Sequence, residues 1–125
     1  MTLSRVAYVE DEHDIRELAT IAMDAIGGFE VRDFSNGPDA LEALPAFHPD
    51  LIVLDVMMPE MDGRELFRRL SQKPSLRNVP VIFMTAKSMP NEMAELREMG
   101  AVGVIPKPFD PMALPDELHA IWSRR

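Results

Sequence analysis

Five times along this chain a short strand-like run, apolar in four cases and alternating in one, gives way to a helical segment. No other feature constrains the fold as strongly. Runs of this length, unbroken by polar residues, suit strands buried on both faces of a parallel sheet. Parallel strands need crossover connections, and the helical segments supply them. The alternation predicts an α/β domain with a doubly wound five-stranded parallel sheet and helices on both faces. Right-handed crossovers follow from strand twist.

The first apolar run is Val6-Ala7-Tyr8-Val9, ending in Glu10-Asp11-Glu12. Ile15, Leu18, Ala19, Ala22, Met23 and Ile26 then recur at helical spacing, and Gly27-Gly28 stops that helix. Phe29 to Asp33 alternates and predicts a half-exposed edge strand. Asn36-Gly37-Pro38 opens a helix carrying Ala40, Leu41 and Leu44, which Pro45 is expected to close. The third strand, Leu51 to Asp55, is the most apolar stretch and lies between Asp50 and Asp55.

Pro59 and Gly63 turn the chain away from Asp55. Asp62 has the position of an N-cap, with Glu65 three residues on completing the capping-box pattern. Leu66, Phe67 and Leu70 form that helix's buried stripe, and Lys73-Pro74 ends it. Val79 to Met84 is the fourth strand, with Thr85 at its end. A helix follows from Pro90 to Met99, capped by Gly100; Met89, Met93 and Met99 are expected to be partly buried in the core. Val102 to Ile105 is the fifth strand, leading to Pro106-Lys107-Pro108. The last helix is predicted from about Leu114 to Trp122, with Pro115 in its first turn.

Composition excludes several classes. The 125 residues suffice for one domain with its own core. A net charge of −8 argues against binding nucleic acid directly. No apolar run approaches membrane-spanning length, so no membrane insertion is expected, and Met1 to Arg5 does not begin a signal peptide. Without cysteine there are neither disulfides nor thiolate metal sites, which fits a cytoplasmic location. His13, His48 and His119 have no metal-ligand spacing and are expected in solvent.

In parallel α/β sheets, ligands bind beyond the carboxyl ends of the strands. There the first strand brings Glu10 and Asp11, the third Asp55 and the fourth Thr85, while the fifth leads to Lys107; the second brings no obvious match. Clustered carboxylates are costly, since two unit charges 4 Å apart repel by roughly 4 kcal/mol at an effective dielectric of about 20. A hard divalent cation such as Mg²⁺ relieves that repulsion and also accepts phosphoryl oxygens. Lys107 adds a compact positive charge. Such an array suits a phosphoryl group on Asp55, with Asp55 as nucleophile, Thr85 as hydroxyl donor and small Ala86 leaving room for entry.

These motifs, spanning nearly the whole chain, resemble the receiver domains of two-component response regulators. The resemblance implies a flavodoxin-like fold with strand order 2-1-3-4-5. It implies phosphorylation at Asp55, with Mg²⁺ (or Mn²⁺ in its place) held by Glu10, Asp11, Asp55 and the backbone carbonyl of Met57. Thr85 matches the family's switch hydroxyl and Lys107 its lysine. Lys107-Pro108-Phe109 resembles its Lys-Pro-Phe motif, which implies a cis peptide at Pro108. Val104 stands where the family often has a switch aromatic, so coupled motion of Thr85 and a ring is not expected. Pro106 removes a backbone donor, which is tolerable if the fifth strand is an edge. Lys87 could steer anionic phosphodonors.

The implied donor is a sensor histidine kinase or a histidine phosphotransfer protein; the downstream target is not legible. The expected domain is residues 1–125, a receiver without an output domain, although a fragment of a longer transcriptional regulator would read the same. Two other functions fit the fold. An aspartyl-phosphate phosphatase of the haloacid dehalogenase type needs an acid two residues after the nucleophile, where this chain has Met57. A flavodoxin-like electron carrier needs a phosphate-cradling loop after the first strand, where Glu10-Asp11-Glu12 would repel phosphate.

Overall fold

The computed structural model describes residues 2–87 and 89–125. Met1, the first residue of the stretch read for a leader, lies outside them. Five strands, β1 (Arg5–Val9), β2 (Glu30–Phe34), β3 (Leu51–Asp55), β4 (Val81–Thr85) and β5 (Gly103–Pro106), form one parallel sheet in the order β2-β1-β3-β4-β5. Four helices, α1 (His13–Ile21), α2 (Gly37–Phe47), α3 (Gly63–Ser71) and α4 (Pro90–Glu98), connect successive strands, and α5 (Leu114–Ser123) follows the last.

Side-chain alternation along the strands builds two cores. Ala7, Val9, Ile52, Leu54, Val81 and Phe83 pack against α2, α3 and α4 through Leu44, Leu66, Leu70 and Leu96. Val6, Leu51, Val53, Ile82 and Met84 pack on the other face against Ala19 of α1 and against Leu114, Leu118 and Trp122 of α5. The central strands are buried at every position, which is why β3 and β4 read as continuous apolar runs. As expected, β2 is a half-exposed edge; β5 is the other edge, where Pro106 leaves no central ladder bond unmade.

Several local expectations shift. Pro45 does not close α2, which runs on to Phe47 and stops at His48 in the left-handed region (φ 54°). After Ile21 the first helix widens into a π-helical turn, Ala22–Ile26, before Gly28 turns the chain at φ 74°. Asp62 does cap α3 by accepting from the Glu65 N–H at 3.0 Å. Glu65 returns no bond to Asp62, because its carboxylate is taken by Arg69 (3.1 Å) and Arg68 (3.8 Å). Pro115 sits in the first turn of α5. Met93 and Met99 pack on the core, but Met89 is largely exposed. The three histidines are exposed, although His13 meets Glu17 at 3.2 Å and His119 packs on Phe29.

The acids at the two ends of β3, Asp50 just before it and Asp55 as its last residue, serve opposite edges of the sheet. Asp50 accepts from the backbone N–H groups of Ser4 (3.1 Å) and Arg5 (2.9 Å), fixing the start of β1. Asp55 stands at the carboxyl edge, level with Met84 and one position beyond the Val9–Leu54 pair.

Candidate functional site

The parallel register brings the expected residues together. One carboxylate oxygen each from Glu10, Asp11 and Asp55 lies within 4.8 Å of the others. Glu10 and Asp55 are 0% and 3% exposed. The Lys107 Nζ donates to Glu10 Oε1 at 2.6 Å and lies 3.0 Å from Asp55 Oδ1. The second Glu10 oxygen accepts from the Glu12 N–H at 3.3 Å. The Tyr8 hydroxyl, two residues earlier in the chain, donates to Glu10 Oε1 at 3.5 Å.

Each side chain is aimed by backbone. Beyond β3, the Val56 N–H donates to Met84 O (3.1 Å) and the Gly63 N–H to Val56 O (2.8 Å). Gly63 is required here, because a Cβ would collide with the Asp55 carbonyl oxygen. The Lys107 N–H donates to Thr85 O at 2.8 Å, and the Lys107–Pro108 peptide is cis. The Thr85 hydroxyl oxygen accepts from the Lys87 N–H at 2.9 Å, which leaves its own proton available.

Electrostatics follow from burial. Burial pushes the Glu10 carboxyl up to about 7, against the Lys107 hydrogen bond, and neighbouring Asp55 adds to the rise. Burial alone would lower the Lys107 ammonium, but hydrogen bonds to Glu10 and Asp55 hold it above its usual value. Burial and the adjacent Glu10 push the Tyr8 phenol strongly up, so it stays protonated.

The site opens to solvent. Asp55, Met57, Ala86 and Lys107 share a cavity of about 290 Å³ with Ile15 and Pro108. Ala86 is exposed, and its small side chain lines the cavity beside Asp55. Asp11 Oδ1 is buried and has no hydrogen-bond partner among the described residues. A cluster of three carboxylates, one of which keeps a buried oxygen unpartnered among the described residues, suits a hard cation of the Mg²⁺ type.

A family model described as the response regulator receiver domain matches residues 6–119. The chain belongs to that family. Among curated proteins, the receiver is 41% identical over 97 residues to a probable transcriptional regulator, ycf29, of Pyropia yezoensis, covering 78% of this chain and 44% of the relative. It is 35% identical over 119 residues to the phosphate regulon transcriptional regulatory protein PhoB of Pseudomonas aeruginosa, covering 95% of this chain and 52% of the relative. The receiver thus spans about half the length, or less, of such relatives. Among solved structures, the chemotaxis response regulator CheY4 of Vibrio cholerae superposes with a TM-score of 0.87 at 28% identity, covering 96% and 99% of the two chains. Receiver domains are signalling modules of two-component systems, and this one has their strand order.

Val104 of the receiver is 6% exposed and packs in the core beside α4, so no ring stands at that position. No helix among the described residues is long and apolar enough to cross a membrane.

Arg16 escaped the sequence reading, and so did Asp33. The Arg16 guanidinium donates to the Glu10 carbonyl at 2.9 Å and reaches that of Asp11 at 3.5 Å; its Nε lies 3.2 Å from Asp33 Oδ2. The second strand therefore does reach the site, one residue removed. A cation so near the start of a helix opposes the macrodipole, and that anomaly was the available signal.

Proposed function

We propose that this receiver accepts a phosphoryl group on Asp55 from a phosphohistidine donor and changes its partner binding in consequence. The observation that carries the reading is the meeting of three carboxylates and one ammonium at the ends of three strands, open to a cavity.

Asp55 is the nucleophile: one of its oxygens attacks phosphorus in line with the departing nitrogen. An O–P bond forms, the N–P bond breaks, and its electron pair returns to the donor's imidazole. The product is an acyl phosphate. Lys107, 3.0 Å from Asp55, neutralises charge on the phosphoryl oxygens, and Thr85 donates its free proton to one of them. Exposed Ala86 admits the group. Glu10, Asp11, Asp55 and the Met57 carbonyl would hold Mg²⁺, or Mn²⁺ in its place. Bound there, the metal supplies positive charge that offsets the carboxylates and the phosphoryl group.

The donor is a sensor histidine kinase or a histidine phosphotransfer protein, met in the cytoplasm. Residues 1–125 act as one receiver domain, with no direct contact to nucleic acid. Apart from its own phosphorylation and slow dephosphorylation, the chain turns over no substrate. Output is a population shift around β4, β5 and the adjoining helices. Because Val104 offers no ring, that shift runs through Thr85 and its loop.

The test is intact-mass measurement after incubation with Mg²⁺ and a small acyl phosphate or phosphoramidate. One phosphoryl adduct is expected, lost in Asp55→Asn and in excess chelator. An adduct that persists in Asp55→Asn, or no adduct at all, overturns the assignment.

A further inference from the structure

The carboxylates of Glu10 and Asp11 are aimed by a stretch of backbone that has left the sheet. The last ladder bond there is the Glu10 N–H to Phe34 O at 3.0 Å. Past it, α1 has not begun, and the carbonyls of Glu10 and Asp11 need partners from elsewhere. Arg16 provides them from inside α1, at 2.9 and 3.5 Å.

The guanidinium is itself held. Its Nε meets Asp33 of β2 at 3.2 Å, and its second terminal nitrogen lies 3.4 Å from His13 Nδ1. The Arg16 side chain is only 16% exposed, whereas Asp33 is 44% exposed. An ordinary surface ion pair contributes little. This one differs in that one terminal nitrogen of the guanidinium, Nη1, donates to both backbone carbonyls while its Nε stays beside Asp33, two positions that a single ammonium cannot occupy together. The chain of contact runs from Asp33 through Arg16 to the peptide units that carry both acids.

We propose that Arg16, oriented by Asp33, is a positioning residue for the Glu10–Asp11 pair, setting divalent-cation affinity without touching cation or phosphate. This inference rests on the reading of the site as a metal-dependent phosphoacceptor. Outer partners that orient ligands typically change metal affinity by about 10- to 100-fold when removed.

The test compares wild type, Arg16→Ala, Arg16→Lys and Asp33→Asn, all as the full chain. Mg²⁺ affinity is measured by titration calorimetry, and amide exchange of residues 10–12 is measured in chelator. Arg16→Ala is expected to weaken Mg²⁺ binding about tenfold or more and to speed exchange in that loop. Asp33→Asn, which keeps shape and removes only the orienting charge, should weaken binding by a smaller factor than Arg16→Ala does. Arg16→Lys should restore little, because one ammonium cannot serve both carbonyls and Asp33.

A purely structural tie between α1 and β2 would lower melting temperature yet leave the Mg²⁺ affinity of the folded protein unchanged. That result in Arg16→Ala overturns the proposal. If Arg16→Ala does not fold, wild-type affinity and exchange in both Asp33→Asn and Arg16→Lys overturn it instead. Wild-type protein that binds no Mg²⁺ would defeat the phosphoacceptor reading itself, a separate outcome of the same titration.

Discussion

The Lys107 ammonium lies 2.6 Å from the Glu10 carboxylate, across 97 residues of chain. The contact is short because both groups are withdrawn from water: the Lys107 side chain is 12% exposed and Glu10 is fully buried. Charge-assisted hydrogen bonds of this kind are stronger than neutral ones, but taking the groups out of water offsets much of the gain. The same lysine reaches Asp55, so its charge is divided between a proposed metal ligand and the proposed nucleophile.

Replacing that lysine leaves two buried carboxylates with no cation. Lys107→Ala is expected to lower stability by about 2 kcal/mol or more in chelator at pH 7.5, judged by urea unfolding. The loss should shrink at pH 5, where Glu10 takes up a proton, and with Mg²⁺ present. Phosphoryl transfer to Asp55 should slow even at saturating Mg²⁺, because the lysine acts on the phosphoryl oxygens. An equal loss at both pH values would remove Glu10 from the cause.

Stability should depend on pH through Glu10. Burial raises its carboxyl from 4.5 to about 7 in the folded chain. Between those values the folded state binds a proton that the unfolded state has released. The associated stability is therefore fully present below about 4.5 and is lost as pH rises through about 7. In chelator, the melting temperature of wild type relative to Glu10→Gln should fall across that window. A difference that stays flat with pH would show that Glu10 is not the group responsible.

Mg²⁺ should stabilise the protein by linkage. At a hundredfold excess over its dissociation constant, a ligand that binds only the folded state contributes about 2.7 kcal/mol. Thermal scans with Mg²⁺ should therefore sit several degrees above scans with chelator. Asp11→Asn and Asp55→Asn should reduce the difference. Identical scans for wild type with and without Mg²⁺ would count against the carboxylate cluster as a cation site.

Gly63 is predicted to be intolerant of any side chain. In Gly63→Ala the new Cβ meets the Asp55 carbonyl oxygen, a backbone atom that cannot swing aside. A cost of about 1–3 kcal/mol is expected from overpacking, with slower phosphorylation because the peptide bearing the nucleophile must move. Chemical denaturation and adduct formation measure the two effects separately. Normal phosphorylation in a destabilised variant would mean that the strain is absorbed by α3 instead.

The chain's own pattern was enough for the five strands, their parallel sense and the residues at their carboxyl ends. Continuous apolar runs arise only where both faces of a strand are covered, so β3 and β4 announced themselves. Asp55, Thr85 and Lys107 were legible because each follows such a run. Pro45 misled, because it removes only its own backbone donor and lies two residues from the helix end, where α2 runs on to the buried Phe47.

What tertiary structure alone decided was distance and pairing. Nothing in spacing shows that Lys107 divides its charge between Glu10 and Asp55, or that Glu65 turns from its cap to two arginines. Nor does it show that Asp33 on an edge strand steadies a helix arginine beneath the first two acids. Periodicity records which side of an element meets water, an average over many weak contacts. A hydrogen bond depends on a few tenths of an ångström between groups far apart in the chain, and only the packed fold sets that.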